Sequence, residues 1–245
     1  MSESIGKTFI ECTKHHHLTR SGQSMGLPQP PLELPHDPDA PMFQLPDPQR
    51  CPVSEISVRE AIEARRSVRR YVSTSLTMAE LSYLLWCTQG VKEVIGQSAT
   101  LRTVPSAGAR HALETYVLAN RVTGLAPGLY RFLALEHKLA QSRTEPAIAG
   151  QITAACFGQS FVKASAATFI WVAVPYCMNW RYGERGYRYL HLDAGHACQN
   201  LYLSAESIDC GVCAIGAYDD DQLNHLLGLD GQDQFAIYIA AVGKK

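Results

Sequence analysis

The chain has 245 residues, enough for one large domain or two small ones, and its hydrophobic content of 46% is ordinary for a globular protein with a sizeable core. A formal net charge of −1 and a pI near 6.7 argue against a general nucleic-acid binder. The first residues lack a signal-peptide pattern, and the longest nearly apolar run, residues 164–176, is too short to cross a bilayer, so a soluble cytoplasmic protein is expected.

Residues 1–56 are expected to form an irregular, Pro-rich arm. Nine of the thirteen prolines lie between Pro28 and Pro52. Because proline removes backbone donors and fixes φ, this stretch cannot be a helix or an interior strand. Its scattered apolar side chains suggest an arm that lies over a surface, such as that of a partner subunit. The consecutive histidines His15 to His17 predict no metal site, because neighbouring residues rarely converge on one ion.

Two capping boxes follow the arm, and an arginine-rich stretch lies between them. Ser57 with Glu60, and Thr77 with Glu80, predict two helices, the second of which ends at Gly90. The intervening residues 65–70 hold four arginines and one serine. Such a cluster repels itself unless an anion compensates it, and guanidinium forks suit a phosphate. The alternative is a solvated basic helix end.

The remaining elements are predicted from periodicity and turn residues. Residues 91–104 show no clear period and are predicted to be a loop. The next segment, residues 105–108, is a turn of small residues that a ligand could approach closely. The further predictions are a strand over 114–122, a hairpin of 129–132 with 138–140, a helix over 144–157 capped by Thr144, a buried strand over 168–174, a long helix over 187–208, a short helix between Asp219 and Gly228, and a last strand over 235–242.

The eight cysteines are scattered, which fits buried reduced thiols better than a disulfide framework. Cys210 and Cys213 form a CxxC, but no second pair completes a zinc site. Small residues on a buried turn are favoured there over a redox dithiol. No G-x-G occurs, so a dinucleotide-binding Rossmann fingerprint is absent.

An ordered set of short motifs resembles the FMN-dependent nitroreductase superfamily, and within it the SagB/ThcOx-type dehydrogenases. The resemblance covers essentially the whole chain, and it is the order of the motifs that makes it specific. The motifs are Arg65-Arg66-Ser67-Val68-Arg69, Arg102-Thr103-Val104-Pro105-Ser106-Ala107-Gly108, Gly128-Leu129-Tyr130, Tyr182-Gly183-Glu184-Arg185-Gly186-Tyr187-Arg188-Tyr189, Gly195-His196-Ala197-Cys198-Gln199-Asn200-Leu201 and Ile215-Gly216-Ala217-Tyr218-Asp219-Asp220.

The resemblance implies an α+β fold of the nitroreductase type, with a central mixed β-sheet flanked by helices and an extended Pro-rich N-terminal arm. The arm would comprise residues 1–56 and the FMN-binding domain residues 57–245. It also implies a homodimer with two FMN sites at the subunit interface.

The resemblance further implies roles for particular residues. Arg65 and Ser67 would hold the FMN phosphate with Arg66 beside them, and Arg69 would lie near the pyrimidine edge of the isoalloxazine. A second set would meet the flavin ring: the turn Pro105, Ser106, Ala107 and Gly108 would reach the flavin of the other subunit, and the backbone amides of Ile215 and Gly216 would meet N5 and O4.

Arg181 and Tyr182 are the expected catalytic residues, on the substrate side of the flavin. They stand where azoline-oxidising members of the family have a Lys-Tyr pair associated with proton transfer. Arginine is effectively always protonated and is a poor base. Proton transfer is therefore expected from Tyr182, whose phenolate a neighbouring guanidinium would stabilise.

The expected function is that of an FMN-dependent, nitroreductase-like oxidoreductase that transfers a hydride through flavin N5 to or from a small organic substrate. NAD(P)H is a candidate electron donor. Two alternatives stay open: a SagB/ThcOx-type dehydrogenase that oxidises azoline rings in a peptide or metabolite, and a non-catalytic flavin-binding scaffold. No metal, nucleic-acid or membrane partner is expected.

Overall fold

The computed structural model describes residues 4–245 and is built on one seven-stranded β-sheet. The strands of this sheet follow the order β1-β6-β5-β4-β7-β9-β8, while β2 and β3 form a separate hairpin. The strands are β1 (Met42–Gln44), β2 (Val91–Ile95), β3 (Ala99–Arg102), β4 (Leu113–Ala119), β5 (Gly128–Leu133), β6 (Lys138–Arg143), β7 (Ala167–Ala173), β8 (Cys210–Ile215) and β9 (Phe235–Lys244).

Eight α-helices accompany the strands in the described residues. They are α1 (Ile5–Cys12), α2 (Val58–Ala64), α3 (Met78–Gln89), α4 (Ile148–Ala155), α5 (Phe161–Ala164), α6 (Pro175–Tyr182), α7 (Gly186–Glu206) and α8 (Asp220–Leu227). Within residues 4–245, none of them is both long and apolar enough to span a bilayer.

The sheet separates two hydrophobic cores, and β7 contributes to both. Phe169 and Trp171 face the core that α3 and α7 cover, whereas Ile170 and Val172 face the core covered by α4, α5 and α8. Every residue of β7 is buried, as its continuously apolar sequence predicts for a strand covered on both faces. This sheet flanked by helices confirms the predicted α+β fold class.

All pairings between neighbouring strands of the large sheet are antiparallel. Parallel pairing occurs as isolated bridges, between Ser67 and Val212 and between Leu76 and Val122. The first of these bridges places the arginine-rich stretch alongside β8, at the end of the sheet.

Several local predictions are confirmed. Both capping boxes are formed, α2 ends as the arginines begin, and α3 ends at Gly90. Asp219 caps α8, which ends at Gly228 in the left-handed conformation that glycine favours. The long helix predicted over residues 187–208 is α7, and one of its faces is buried, namely Leu190, Ala194, Ala197, Cys198, Leu201 and Ala205.

Three local predictions are wrong. Residues 91–104 are not a loop, because β2 and β3 form a hairpin there. Helix α4 begins at Ile148 behind Ala147, not at a Thr144 cap, since β6 runs on to Arg143. The Cys210–Cys213 segment is a strand, not a turn.

Part of the N-terminal segment lies against its own chain. Strand β1 pairs with β6 at the edge of the sheet, so proline-rich sequence flanks an edge strand and not an interior one. The indole of Trp180 donates to the carbonyl of Leu27 at 2.9 Å, and the Arg131 guanidinium donates to the carbonyls of Leu34 and Pro35 at 2.6 and 2.7 Å.

Candidate functional site

The arginine-rich stretch, residues 65–70, runs along the outer edge of β8. The amide of Val68 donates to the carbonyl of Val212 at 2.8 Å. Gly211 permits this close approach, because a Cβ at that position would lie 2.5 Å from the Cβ of Val68. The stretch is thus fixed to the sheet by its backbone, and its polar side chains remain available.

Tyr202 of α7 brings Arg65 and Ser67 together. The Tyr202 hydroxyl lies 3.1 Å from Ser67 Oγ and accepts the backbone N–H of Ala214 at 2.9 Å. The Arg65 guanidinium lies 5.3 Å from the centre of the Tyr202 ring, within cation–π distance. Both predicted phosphate-binding side chains therefore share one buried support.

The donors of the stretch suit an anion. In the described part of the chain, Arg65, Arg66, Arg69 and Arg70 have no carboxylate within 4.0 Å, unlike Arg59, Arg131 and Arg143. Arg66, Ser67 and Arg69 are exposed. Guanidinium forks and a hydroxyl without acidic partners have the chemistry that binds a terminal phosphate, so these residues fit the FMN phosphate.

The small-residue turn is held by a buried carboxylate on α7. Ser106 donates its hydroxyl to one oxygen of Asp193 at 2.5 Å, and the amide of Ala107 donates to the other at 3.3 Å. Burial raises the pKa of the Asp193 carboxyl, although these two hydrogen bonds oppose the shift. Pro105 and Gly108 flank these two bonded residues, at the start and the end of the turn.

Gly108 brings the turn against the predicted catalytic pair. Its φ is 58°, and a Cβ there would lie 2.4 Å from the Tyr182 hydroxyl and 3.2 Å from Arg181 Nε. Tyr182 is half-buried and packs edge-on against Tyr189, with ring centres 4.9 Å apart. The exposed Arg181 places its guanidinium 5.7 Å from the Tyr182 ring. The structure thus joins two groups of residues that lie far apart in the sequence.

Within one chain, the predicted phosphate-binding residues and the small-residue turn contact α7 at two separate places. Asp193, which holds the turn, precedes Tyr202 by nine residues, which corresponds to about 13 Å of helix. The third predicted group, Ile215 and Gly216, lies at the end of β8. Ile215 is buried, whereas Gly216 is exposed and faces open space. The amide of Ala214 points away from β9, toward Tyr202. Because backbone amides alternate in direction along a strand, the amide of Gly216 points to the same side as that of Ala214.

Asp193 and Tyr202 were not predicted as site residues. The sequence carried a signal for Asp193, because it is a carboxylate on the same helical face as Leu190 and Ala197. Tyr202 had no comparable signal. Its partner Ser67 is 135 positions away in the sequence, and its partner Ala214 lies on a different element, β8.

The CxxC cysteines do not meet. Cys210 packs in the core beneath α7, and Cys213 packs in the opposite core, because residues three apart on a strand point to opposite faces. Burial raises the pKa of Cys210 to about 12 and also raises that of Cys213. Neither thiol has the exposure or the low pKa of a reactive cysteine.

Two of the N-terminal histidines approach an acidic side chain. Ligand atoms of Glu11, His16 and His17 lie within 4.8 Å of one another, and all three residues are exposed. Lys14 lies 2.5 Å from Glu11 and His17 lies 3.3 Å from it, and these contacts lower the pKa of Glu11. Ordinary surface ion pairing accounts for this grouping.

The chain belongs to the nitroreductase family. Residues 62–244 match that family, which includes the arginine-rich stretch, the turn, Arg181, Tyr182 and β8. Over 204 residues the chain is 34% identical to "Putative nitroreductase MJ1384" of Methanocaldococcus jannaschii, covering 83% of this chain and 96% of that protein.

Solved structures agree with this membership. A "putative nitroreductase" from Ralstonia eutropha matches with a TM-score of 0.68 and 25% identity, over 89% of this chain and 98% of the other. A second one, from Anabaena variabilis, matches with a TM-score of 0.68 and 31% identity, over 84% of this chain. This match spans only 42% of the Anabaena chain.

Two more distant structures share the fold. One is a "putative nitroreductase in complex with FMN" from Desulfovibrio desulfuricans, at a TM-score of 0.55 and 19% identity, over 78% of this chain and 87% of that one. The other is the E. coli microcin synthetase McbBCD complex with truncated pro-MccB17, at a TM-score of 0.62 and 18% identity, over 81% of this chain and 76% of that one.

Proposed function

We propose that this protein is an FMN-dependent oxidoreductase that acts on a small organic substrate. The observation that carries the proposal is the arginine-rich stretch, whose guanidinium groups have no acidic partner among the described residues and lie beside Ser67 on the edge of β8. A fold match to an FMN-bound structure from D. desulfuricans supports the choice of flavin.

In this proposal Arg65 and Ser67 bind the FMN phosphate, and Arg66 adds positive charge beside them. Arg69 lies two residues further along the same extended stretch, where its charge would favour the anionic reduced flavin. The amide of Gly216 points away from β9 and binds the polar edge of the ring, and Gly216, which faces open space, lets the ring come close to the backbone. The Ile215 amide faces β9, so Ile215 is left out of this contact.

We further propose a homodimer in which residues 105–108 of one subunit meet the flavin held by the other. The turn and the phosphate-binding residues contact α7 at separate places, and this separation supports the arrangement. Residues 57–245 would form the flavin-binding domain, and residues 1–56 an arm that covers its surface. The eight free cysteines are consistent with a cytoplasmic protein.

Arg181 and Tyr182 act on the substrate side of the site in this proposal. When bound, FMN supplies hydride transfer at N5, and the protein supplies position and electrostatic field. The Tyr182 hydroxyl donates or accepts the accompanying proton, and the Arg181 guanidinium lies beside it, 5.7 Å from the centre of the Tyr182 ring. Asp193 holds the turn that packs against this hydroxyl through Gly108.

NAD(P)H is the proposed electron donor, in keeping with the fold match to a Vibrio harveyi NADPH:FMN oxidoreductase complexed with NAD+. A second candidate is the oxidation of azoline rings in a peptide, which the fold match to the McbBCD complex favours. Reduction of the bound flavin by NADPH under anaerobic conditions would support the first candidate over the second.

Arg65→Ala tests the proposed site. Protein purified gently should be yellow and should release FMN, not FAD, on denaturation. Arg65→Ala should remove a charge-assisted contact of about 1.5–3 kcal/mol and lose flavin at micromolar protein. Arg59→Ala is the matched control, since Arg59 lies six residues earlier and is paired with Glu63 at 2.9 Å. Full flavin content in Arg65→Ala would refute the assignment.

A further inference from the structure

Tyr202 is the support on which both phosphate-binding side chains converge, and its hydroxyl has a restricted choice of hydrogen bonds. The N–H of Ala214 can only donate, so the Tyr202 oxygen accepts from it at 2.9 Å. Tyr202 is 8% exposed, and the sole acceptor within hydrogen-bond distance of its proton among residues 4–245 is Ser67 Oγ, at 3.1 Å. A buried hydroxyl that leaves its proton unpaired costs free energy. The Tyr202 proton is therefore directed to Ser67.

We infer that Tyr202 is a positioning residue that makes the Ser67 hydroxyl a hydrogen-bond donor toward the flavin phosphate, an inference that rests on the proposed function. Because Ser67 Oγ accepts from Tyr202, its own proton is free to point outward. Ser67 is exposed and makes no other side-chain hydrogen bond in the described structure. The chain of bonds thus runs from the Ala214 amide through Tyr202 and Ser67 to the anion.

The same tyrosine places the charge. The Arg65 guanidinium lies 5.3 Å from its ring centre, so the ring supports the cation from one side. One side chain thus sets the polarity of the hydroxyl through its oxygen and the position of the guanidinium through its ring. Tyr202→Phe separates the two effects, because it keeps the ring and removes the oxygen.

The experiment compares FMN with riboflavin, which has the same ring system and no phosphate. The full-length protein is freed of flavin, and the dissociation constants of both ligands are measured by fluorescence titration for wild type, Tyr202→Phe, Ser67→Ala and the double variant. We expect Tyr202→Phe to weaken FMN about three- to tenfold, the effect of one lost hydrogen bond, and to leave riboflavin within about twofold.

The double variant tests whether Tyr202 acts through Ser67. If it does, Tyr202→Phe with Ser67→Ala binds FMN no more weakly than Ser67→Ala alone, because the two substitutions remove one shared contact. Additive losses, or equal losses of FMN and riboflavin, would show that Tyr202 only supports the fold. Tyr83→Phe is the matched control, since its hydroxyl lies 3.0 Å from Ser207 Oγ in a similar pair without predicted site residues.

Two outcomes separate this inference from the proposed function. If Arg65→Ala loses FMN while Tyr202→Phe binds it like wild type, the inference about Tyr202 is wrong and the site stands. If Arg65→Ala also retains FMN, the proposed site itself is wrong. Should Tyr202→Phe fail to fold, wild-type FMN binding by Ser67→Ala would still overturn the inference, because the bond chain would then have no effect on the phosphate.

Discussion

At the scale of single residues, the contact between Gly108 and Tyr182 joins the proposed close-approach turn to the proposed proton donor. The left-handed φ of Gly108 and the lack of room for a Cβ explain why glycine ends the turn. Tyr182 itself is held edge-on by Tyr189, so its ring is fixed while its hydroxyl lies at the turn. This arrangement fits a group that must present one oxygen at a fixed place.

Tyr182→Phe tests the catalytic role, because it removes the hydroxyl and keeps the ring that packs against Tyr189. We expect unchanged FMN content and melting temperature, with substrate turnover lowered roughly tenfold or more through loss of the proton-transferring group. Steady-state rates and a thermal melt give both quantities. Tyr176→Phe on the same helix is the control, because its hydroxyl donates to the Pro28 carbonyl at 2.6 Å. Normal turnover, or a joint loss of stability and flavin, would make Tyr182 a packing residue.

At the scale of elements, two buried arginines hold residues 32–35 against neighbouring strands. Arg131 on β5 bonds the carbonyls of Leu34 and Pro35 and also Glu114 on β4 at 3.0 Å. Glu114 in turn accepts the amide of Leu34 at 2.9 Å. Arg102 on β3 adds a bond to the Leu32 carbonyl at 3.3 Å. Because prolines remove local backbone pairing, these side chains supply the bonds that the segment cannot make with a neighbouring strand.

Arg131→Ala should therefore be strongly destabilising. It leaves the Glu114 carboxylate, in a residue that is 9% exposed, without its cation, and such a loss typically costs about 3–5 kcal/mol. Urea denaturation measures the free energy of unfolding, and limited proteolysis should show faster cleavage near residues 32–35. Arg59→Ala, which breaks an exposed pair with Glu63, should cost less than about 0.5 kcal/mol. Equal effects of the two variants would contradict the assigned role of Arg131.

The elements that the sequence predicted well carry one of two signals. Strand β7 and helix α7 have extensive buried apolar sequence, and helices α2, α3 and α8 have a capping residue at their start. The hairpin of β2 and β3 did not, because four of the five residues of β2 are exposed and no alternation marks a core face. Strand β8 was hidden by its small residues, and Gly211 is required there by Val68 from another segment.

The candidate site divides in the same way. The arginines and the turn were visible as chemistry in consecutive residues, and the Arg181-Tyr182 pair through the resemblance to the family. Their supports, Asp193 and Tyr202, act across 87 and 135 positions of the chain, and only the fold brings them to their partners. Local sequence can thus name candidate ligand-binding groups, but not the long-range bonds that orient them.

At the scale of the whole molecule, helix α7, which carries Asp193 and Tyr202, exposes an apolar surface. Leu192 on α7 is 58% exposed, and Phe9 and Ile10 of α1 lie beside it at 37% and 50% exposure. Contiguous exposed apolar side chains favour contact with another protein surface. Since Leu192 directly precedes Asp193, a second copy seated here would approach the residues that hold the turn, as the proposed shared site requires.

We therefore predict a dimer whose assembly and flavin binding are coupled. Light scattering of the holoprotein should give about twice 27.0 kDa, and dilution to the monomer should release FMN, because each flavin needs the turn of the other subunit. Leu192→Asp should shift the protein to monomer and lose flavin together, since a carboxylate is costly to bury in an apolar contact. Val94→Asp, at a similarly exposed site on β2, should change neither. A monomer that stays loaded with flavin would refute the shared site. The predicted phosphate-binding residues beside β8 would then hold the flavin without the partner's turn.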